Sequence, residues 1–397
     1  MTIPPKRITS RTGAVVLFLA IAFLDELVDG VVSAAWPHIR TDLNLSYLQI
    51  GVVLSVPGLA SVCIEPVIGI LGDVGHRRRI VIAGGIFYAI SLVLFAVSQG
   101  FSILLIAWLI FYPASGAFVS LSQASLMDFD LKRRAQNMAR WNFAGSLGNV
   151  AGPLALAVLV AIAVGWRGAV LGCALIAVLA LAGAFRLPTR MFRPNPADDA
   201  PSIKQAAISA FAVLRQFDVA RWQVLLQASD LMLDLFKSFL TLYMVDVAGV
   251  TETSAALVLA VWIGAGLIGD LILIPLLERV RPLRFLRVSV VVVLLIYPAF
   301  LLAPTLPIKL LMVSILGFAT AGWYPILQSR AYASLPERSG TVVALGNLFG
   351  FVAAILPLGL ALLAENWGLG FSMWLLLIGP VAVGIGTVFR PSRNPTA

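Results

Sequence analysis

The chain alternates long apolar runs with short polar or Gly/Pro-containing breaks along most of its 397 residues. Each run covers roughly 17 to 25 residues, the length that an α-helix needs to cross the ~30 Å hydrocarbon core of a bilayer. The pattern predicts an all-α polytopic membrane protein with twelve transmembrane helices. These cover residues 14–35, 48–71, 80–97, 101–124, 138–164 and 169–185, then 222–245, 254–277, 285–302, 310–328, 342–364 and 371–389. The composition agrees, because 60% of the residues are hydrophobic and only 12% are charged.

The hydropathy falls in one long stretch, residues 186–221, which contains Pro, Asp and basic residues. No other polar stretch is long enough to form a separate domain. We therefore predict an N-terminal six-helix half (1–185), a cytoplasmic linker (186–221) and a C-terminal six-helix half (222–397).

Acidic residues recur inside the apolar runs at a constant offset of 205 positions. The pairs are Asp25 with Asp230, Asp29 with Asp234, Glu65 with Asp270, and Asp73 with Glu278. The same offset relates Gln123 to Gln328 and Asn142 to Asn347, so the two halves are an internal repeat. Ionisable groups in a membrane core are costly unless they face a partner or water, which makes them functional candidates.

The formal net charge of +9 arises from an uneven distribution of basic residues. Twenty-four of the 28 Lys and Arg side chains fall on one side of the twelve-helix topology. The positive-inside rule then places both termini in the cytoplasm. The basic charge indicates membrane topology and not a nucleic-acid partner.

The segment 35–79 resembles the first loop, second helix and loop-2/3 signature of the major facilitator superfamily. The signature is carried by Gly69, Asp73, Gly75, Arg77 and Arg78, and Arg79 extends the basic run. It is one residue shorter than the family pattern and lacks the basic residue after Asp73. The resemblance implies two parallel six-helix halves around a midplane cavity.

The fifth helix resembles the antiporter motif of the same superfamily through Gly148, Gly152 and Pro153. The arginine that many drug exporters of the superfamily carry on the fourth helix is Tyr112 here. A weaker resemblance, to the fosmidomycin-resistance exporters, places an acidic group at Glu26. Together these features favour antiport, by a coupling route that does not use the fourth-helix arginine.

Asp25 and Asp29 are four residues apart and therefore share a helix face. Counted from the start of the first span, Asp25 lies near the middle of the membrane. Asp230 and Asp234 repeat the arrangement, and Lys237 follows on nearly the same face. Either these groups bind protons or substrate, or their role is structural. In the structural alternative Lys237 neutralises Asp234 or Asp230, and the other carboxylates stay protonated or meet backbone and Arg donors. The candidates for proton coupling or substrate binding are Asp25, Glu26, Asp29, Glu65, Asp230, Asp234, Lys237 and Asp270.

Three further groups have weaker indications. Asp73, Arg77, Arg78, Glu278, Arg279 and Arg281 lie at cytoplasmic helix ends, where ion pairs can hold a gate closed in one state. Gly148, Gly152 and Pro153 are candidates for close helix packing. Cavity-lining candidates are Tyr112, Gln123, Trp141, Asn142, Trp323, Tyr324, Gln328 and Asn347, although aromatic residues also belong at membrane interfaces.

The leading hypothesis is a secondary transporter in a bacterial inner membrane, most consistent with proton-coupled efflux of a small amphiphilic or drug-like molecule. Proton-coupled uptake of a metabolite, and lipid or metal export, are the alternatives. The carboxylates favour a cationic substrate, whereas Lys237 and the fosmidomycin resemblance favour an anionic one. No catalytic residue, metal ligand set or nucleotide motif is recognised, so we expect no enzyme and no cofactor beyond the proton gradient. The expected partners are a small-molecule substrate, protons and the lipid bilayer, with the chain a monomer.

Overall fold

The computed structural model describes residues 6–72, 76–129, 134–192, 217–334 and 339–388, and the regular elements in these ranges are helical. The first seven α-helices are α1 (Lys6–Leu43), α2 (Tyr47–Leu71), α3 (Arg77–Ala96), α4 (Phe101–Ser115), α5 (Leu121–Phe129), α6 (Arg134–Ala161) and α7 (Gly165–Arg186). A five-residue π-helical segment (Gly116–Ser120), called a π-turn below, joins α4 to α5. A short 3₁₀ turn (Thr189–Phe192) follows α7.

The later helices begin with α8 (Phe217–Asp230), a second π-turn (Leu231–Leu235) and α9 (Phe236–Asp246). They continue with α10 (Glu252–Arg279), α11 (Pro282–Leu302), α12 (Leu306–Thr320), α13 (Trp323–Ala333) and α14 (Ser339–Trp367). The last elements are α15 (Leu369–Trp374), a 3₁₀ turn (Leu375–Leu377) and α16 (Ile378–Val388).

Ten helices in the described part of the chain are long and apolar enough to cross a membrane. They correspond to ten of the twelve predicted spans. The other two predicted spans, the first and the seventh, are also helical, within α1 and within α8–α9. Their acidic residues, with Lys237 in the seventh, give them more charge than the other spans carry. The all-helical membrane fold is thus confirmed, and ten of its predicted spans are matched by length and hydropathy.

The chain divides into two compact units, one comprising residues 1–199 with 252–260 and the other comprising 200–251 with 261–397. In the first unit, α1 packs along α6, α3 packs on α4 and α7, and α2 packs on α4. In the second unit, α8 packs on α13, α14 and α16, and α11 packs on α12 and α16. Each unit buries a cluster of aromatic rings, around Tyr88 and Trp108 in the first and around Phe236 and Tyr297 in the second.

Glycines bring the backbones of α1 and α6 into direct contact. A Cβ atom added at Gly148 would lie 2.2 Å from the carbonyl oxygen of Phe23, and one added at Gly152 would lie 2.5 Å from the amide nitrogen of Val31. Small residues permit such close approach of membrane helices, where packing rather than the hydrophobic effect holds them together. The antiporter-like glycines of the sequence therefore lie at the α1–α6 contact.

The fourth helix of each repeat is irregular at equivalent places. In the first unit, Pro113 cannot donate a backbone hydrogen bond, and the helix widens into the π-turn at Gly116. In the second unit, α12 ends at Thr320 and α13 begins at Trp323, with Gly322 between them at φ +78°. Both interruptions lie beside acidic side chains.

Candidate functional site

The carboxylate of Asp25 lies inside the first unit, between α1, α3 and α4. The Ser115 hydroxyl donates a hydrogen bond to Asp25 Oδ1 at 2.9 Å, and the Tyr88 hydroxyl donates to the same oxygen at 3.3 Å. Ser115 is the last residue of α4 before the π-turn, which fixes the position of its hydroxyl. Tyr88 is fully buried. Asp25 is thus held by neutral hydroxyl groups from two other helices.

Glu26 points to a different helix, as expected for adjacent residues on α1. The Asn149 side-chain amide donates a hydrogen bond to Glu26 Oε2 at 2.7 Å. Gly145, one turn before Asn149 on α6, leaves room for the acidic side chain, since a Cβ there would lie 3.1 Å from Glu26 Cγ. Asp29, by contrast, is exposed. The acidic residues of α1 therefore diverge, with Asp25 toward α3 and α4 and Glu26 toward α6.

Glu65 on α2 meets α4 at the π-turn. Its Oε1 atom accepts a hydrogen bond from the Ser61 hydroxyl at 2.6 Å, and its Cγ lies 2.8 Å from where a Cβ of Gly116 would be. Gly116 follows Ser115, the partner of Asp25. The structure therefore brings Asp25 and Glu65 to the same two-residue stretch of the fourth helix, a convergence that the sequence repeat did not indicate.

Asp270 repeats this arrangement in the second unit. Its Oδ1 atom accepts a hydrogen bond from the backbone N–H of Gly322 at 3.2 Å, at the break between α12 and α13. Glu65 and Asp270 are related by the 205-residue offset, and each contacts the irregular part of the fourth helix in its own repeat. The interruption contains a glycine in both cases. Gly116 has no side chain and so leaves room for Glu65, and the backbone N–H of Gly322 donates to Asp270.

The second pair of aspartates lies around the other π-turn. Asp230 ends α8 and is half-buried, Asp234 lies within the π-turn and is exposed, and Lys237 on α9 is buried. Among the described residues, π-turns thus occur beside Asp25 and at Asp230, and such turns are frequent at functional sites.

Two glutamines that the sequence reasoning passed over continue the polar face of α8. Gln223, Gln227 and Asp230 are spaced by four and three residues, so they share one side of the helix. The side-chain oxygens of Gln223 and Gln227 are buried and have no hydrogen-bond partner among the described residues. The oxygen of Gln328 on α13, which packs on α8, is in the same condition. Their helical spacing from Asp230 could have identified these two glutamines. The repeat did not indicate them, because the equivalent positions of the first half carry no glutamine.

The remaining cavity-lining candidates occupy varied positions. Tyr112 packs on Trp108 at 5.6 Å between ring centroids, Trp141 is buried and Asn142 is exposed. Gln123 donates a long hydrogen bond to the sulfur of Met138.

The candidates of the second repeat differ in exposure. Trp323 is fully buried and its indole N–H donates to the Ser289 hydroxyl, whereas Tyr324 is 51% exposed. The side chain of Asn347 lies outside the described residues.

The basic residues of the loop-2/3 signature have separate partners. Arg77 is buried and forms a 2.6 Å ion pair with Asp128 at the end of α5, and Arg78 donates to the carbonyl oxygen of Phe185 at 2.9 Å. Gly69 has open space around its Cβ position. Asp73, Gly75 and the Glu278 side chain lie outside the described residues, and Arg279 and Arg281 are exposed.

His38 has a partner that its isolated position in the sequence did not suggest. Its Nδ1 atom lies 2.5 Å from Glu252 Oε2, and both residues belong to the first unit. Burial lowers the pKa of His38, and the adjacent Glu252 carboxylate opposes this effect. No group of three or more His, Cys, Asp or Glu residues suited to a metal ion occurs in the described part of the chain.

Comparisons with known proteins agree on one family for this chain. The model of the Major Facilitator Superfamily matches residues 18–358. The fosmidomycin resistance protein of Escherichia coli (strain K12) is 24% identical over 380 residues, covering 94% of this chain and 91% of that protein. The multidrug efflux pump SdrM of Staphylococcus aureus (strain N315) is 27% identical over 141 residues, covering 35% of this chain and 31% of that protein.

Solved structures with the same fold are also transporters. A bacterial homologue of the human lysosomal transporter Spinster superposes with a TM-score of 0.74 at 18% identity, covering 98% of this chain and 97% of that chain. The nucleoside transporter NupG superposes with a TM-score of 0.72 at 15% identity, covering 94% and 97%. At these identities the likeness establishes the fold alone.

Proposed function

Because the chain belongs to the major facilitator superfamily, we propose that it is a proton-coupled antiporter that exports a small amphiphilic or drug-like molecule by alternating access. The superfamily is one of membrane transporters, so the chain is a transporter and not an enzyme. The export direction is supported by the two relatives, a resistance protein and an efflux pump. The antiporter-like glycines at the α1–α6 contact agree with it.

The environment of Asp25 carries the proposal of proton coupling. Among the described residues, its hydrogen-bond partners are the Ser115 and Tyr88 hydroxyls, and no basic side chain forms an ion pair with it. The charged side chains that interact with it electrostatically are themselves acidic, Glu26 and Asp29. Such a carboxylate can change between charged and neutral forms without breaking an ion pair, because hydroxyl groups can donate to one form and accept from the other. This is the property that a proton carrier in a membrane requires.

Glu65 supplies a second proton-binding position in the same unit. Asp25 and Glu65 both reach the Ser115–Gly116 stretch, and Glu65 is likewise held by a hydroxyl group, that of Ser61. A proton leaving Asp25 thus has an acceptor on α2 that contacts the next residue of the fourth helix, Gly116. In this proposal Asp25 binds the proton that drives the conformational change, and Glu65 lies on its exit route.

Substrate recognition is assigned to the second unit. The polar face of α8 presents Asp230 with the oxygens of Gln223 and Gln227, groups that accept hydrogen bonds from a substrate. Lys237, which has no counterpart at the equivalent position of the first repeat, supplies a positive charge on α9. A molecule that carries hydrogen-bond donors and also an acidic or polar group would bind the acceptors on α8 with the donors and Lys237 with the other group. This favours zwitterionic amphiphiles and accommodates the two opposite indications of substrate charge.

The topology proposed with this function is that of a monomer in the bacterial inner membrane with both termini cytoplasmic. The positive-inside distribution supports the orientation. The Arg77–Asp128 ion pair then lies at the cytoplasmic ends of α3 and α5, where its making and breaking would accompany the change of state.

The test is efflux from a pump-deficient bacterial host that expresses the full chain. Growth is measured on quaternary amines, phosphonates, zwitterionic amphiphiles, dyes, antibiotics and divalent metals. Asp25→Asn removes the proposed proton carrier, and Asp218→Asn is the matched control, because Asp218 is an exposed aspartate at the start of α8. Protected compounds are then followed in everted vesicles with and without a pH gradient.

We expect protection against at least one amphiphile, loss of that protection in Asp25→Asn and full protection in Asp218→Asn. We also expect the wild-type vesicles to move protons when the compound is added. Efflux that continues undiminished in Asp25→Asn contradicts the assignment of Asp25. Expression without protection against any compound, together with proton-driven accumulation of a metabolite, contradicts export and supports the uptake alternative.

A further inference from the structure

A lateral groove of about 600 Å³ lies on the first unit where α2 and α3 each pack on α4 but hardly on one another. It is separate from the hydroxyl groups that hold Asp25. Its walls are apolar side chains such as Leu71, Phe87 and Ile110, and Phe87 is 55% exposed. Alanines 83, 114 and 117 contribute small side chains, which gives the groove its depth. The volume falls in the range of small-molecule binding sites, about 300–1,000 Å³.

One end of the groove is basic. His76 and Arg79, at the start of α3, are its ionisable lining residues, both exposed, and no acidic side chain lines the groove within the described part of the chain. The neighbouring Arg77 and Arg78 are directed to Asp128 and to the Phe185 carbonyl. Arg79 is therefore the member of the basic run that lines the groove.

We propose that this groove binds an anionic phospholipid, with one acyl chain between α2 and α3 and the phosphate at Arg79 and His76. The groove pairs an apolar surface with a cationic end at Arg79, which matches the division of a phospholipid into an acyl chain and a charged head group. Arg is suited to phosphate because its planar guanidinium donates two parallel hydrogen bonds. A zwitterionic lipid would bring its own cation next to Arg79, so the positive charge of Arg79 selects a net negative head group.

The proposal does not rest on the transported substrate or on proton coupling. The full chain is placed in lipid nanodiscs made of phosphatidylcholine with a small fraction of phosphatidylglycerol that carries a photoreactive diazirine in one acyl chain. After illumination, labelled peptides are located by mass spectrometry. A phosphatidylcholine probe with the same photoreactive chain measures the contribution of the head group.

Two variants act on different parts of the groove. Arg79→Gln removes the charge at its end, and Ala83→Trp fills its interior. The matched controls are Arg186→Gln and Ala182→Trp, because both of these residues are exposed on α7 and neither lines the groove. Arg79→Gln changes an exposed side chain and leaves the apolar packing intact, so a result does not depend on Ala83→Trp folding well.

We expect the phosphatidylglycerol probe to label α2, α3 and α4 around the groove. Labelling should fall about tenfold in Arg79→Gln, as expected for loss of a charge-assisted contact, and fall similarly in Ala83→Trp. Both controls should label like the wild-type chain. Equal labelling by the two lipid probes would overturn the head-group selection, and labelling that survives in both groove variants would overturn the site.

Discussion

Replacing Gly148 by alanine would force apart α1 and α6, whose backbones are in direct contact at this glycine. The added Cβ would lie 2.2 Å from the Phe23 carbonyl oxygen, and real Cβ atoms essentially never approach heavy atoms closer than 3.0 Å. The helices must therefore separate by about 0.8 Å (3.0 minus 2.2) at this point. The atom that is met belongs to the backbone, so no side-chain rotation relieves the overlap.

The cost follows from this displacement. Overpacking of a closely packed interior costs about 1–3 kcal/mol, and a gap of 0.5–1 Å along the rest of the contact loses about a quarter to a half of the dispersion attraction there. At about 2–4 °C per kcal/mol, the melting temperature should fall by about 2 to 12 °C. We would measure it in detergent, as the temperature at which half of a fluorescent fusion of the full chain is lost from the monomer peak.

Gly152 contacts α1 one turn further along α6. Its added Cβ would lie 2.5 Å from Val31 N, so Gly152→Ala requires a separation of about 0.5 Å (3.0 minus 2.5). The 0.8 Å movement made for Gly148→Ala already provides this space. The double variant should therefore cost little more than Gly148→Ala alone, with a coupling of about 1 kcal/mol, as for residues that share one structural shift.

The control is Gly172→Ala on α7, where an added Cβ has no neighbour within 4 Å. It should leave the melting temperature unchanged or raise it slightly, because alanine has less freedom than glycine in the unfolded chain. The reasoning is refuted if Gly148→Ala is as stable as Gly172→Ala. It is also refuted if the two α6 substitutions add fully, since each would then be accommodated locally.

Three further outcomes follow from single contacts. Ser115→Ala should change the pH dependence of the proposed proton-coupled efflux, because it removes the 2.9 Å hydrogen bond that the Ser115 hydroxyl donates to Asp25 Oδ1. Gly322→Ala should lower the melting temperature by several degrees, because alanine is strained at φ +78° and its Cβ would overlap Leu273 Cδ2. Glu252→Gln should lower the pKa of His38 further in an NMR pH titration, because burial already lowers it and Glu252 opposes that effect.

These outcomes have their own controls. Ser115→Thr keeps the hydroxyl and should retain the wild-type pH profile. Gly264→Ala, a helical glycine with open space at its Cβ, should leave the melting temperature close to that of the parent. The chain has only two histidines, so His76→Ala assigns the two NMR signals. An unchanged pKa of His38 in Glu252→Gln would mean that the pair does not form in solution.

The sign of the His38 effect on stability follows from its lowered pKa. The folded chain binds a proton at His38 less readily than the unfolded chain does, so folding is favoured when His38 is neutral. This contribution is fully present above the unfolded pKa, close to 6.5, and is lost as the pH falls from that value through the lower pKa of the folded chain. Removing Glu252 should increase this loss on acidification, because the carboxylate partly compensates the buried positive charge.

The helices and the acidic repeat were accessible from the sequence because hydropathy and a fixed 205-residue offset are local or periodic signals. Ten predicted spans match helices of sufficient length and hydropathy, and the first and seventh are helical despite their charges. The contacts of the carboxylates were not accessible. Ser115 and Tyr88 are 90 and 63 residues from Asp25, and serine and tyrosine are ordinary in apolar helices. Pro113 and Gly116 indicate that the fourth helix is irregular, but they do not indicate that the irregular turn lies beside Asp25.

The two repeats keep one arrangement and differ in another, and the difference decides where coupling is expected. Glu65 and Asp270 each contact the interruption of the fourth helix in their own repeat, which indicates a structural solution retained after duplication. Position 32, equivalent to Lys237, is valine.

The first repeat thus has acidic groups near Asp25 without an equivalent lysine, and the second has a lysine beside its aspartates. We therefore expect Lys237→Met to change which substrates are exported while leaving their dependence on the pH gradient intact, and Asp25→Asn to abolish that dependence for every substrate. Vesicle efflux of one cationic and one anionic compound, each with and without a pH gradient, distinguishes the two effects. Loss of gradient dependence in Lys237→Met would show that coupling is shared between the repeats, because a residue confined to substrate recognition has no effect on the driving ion.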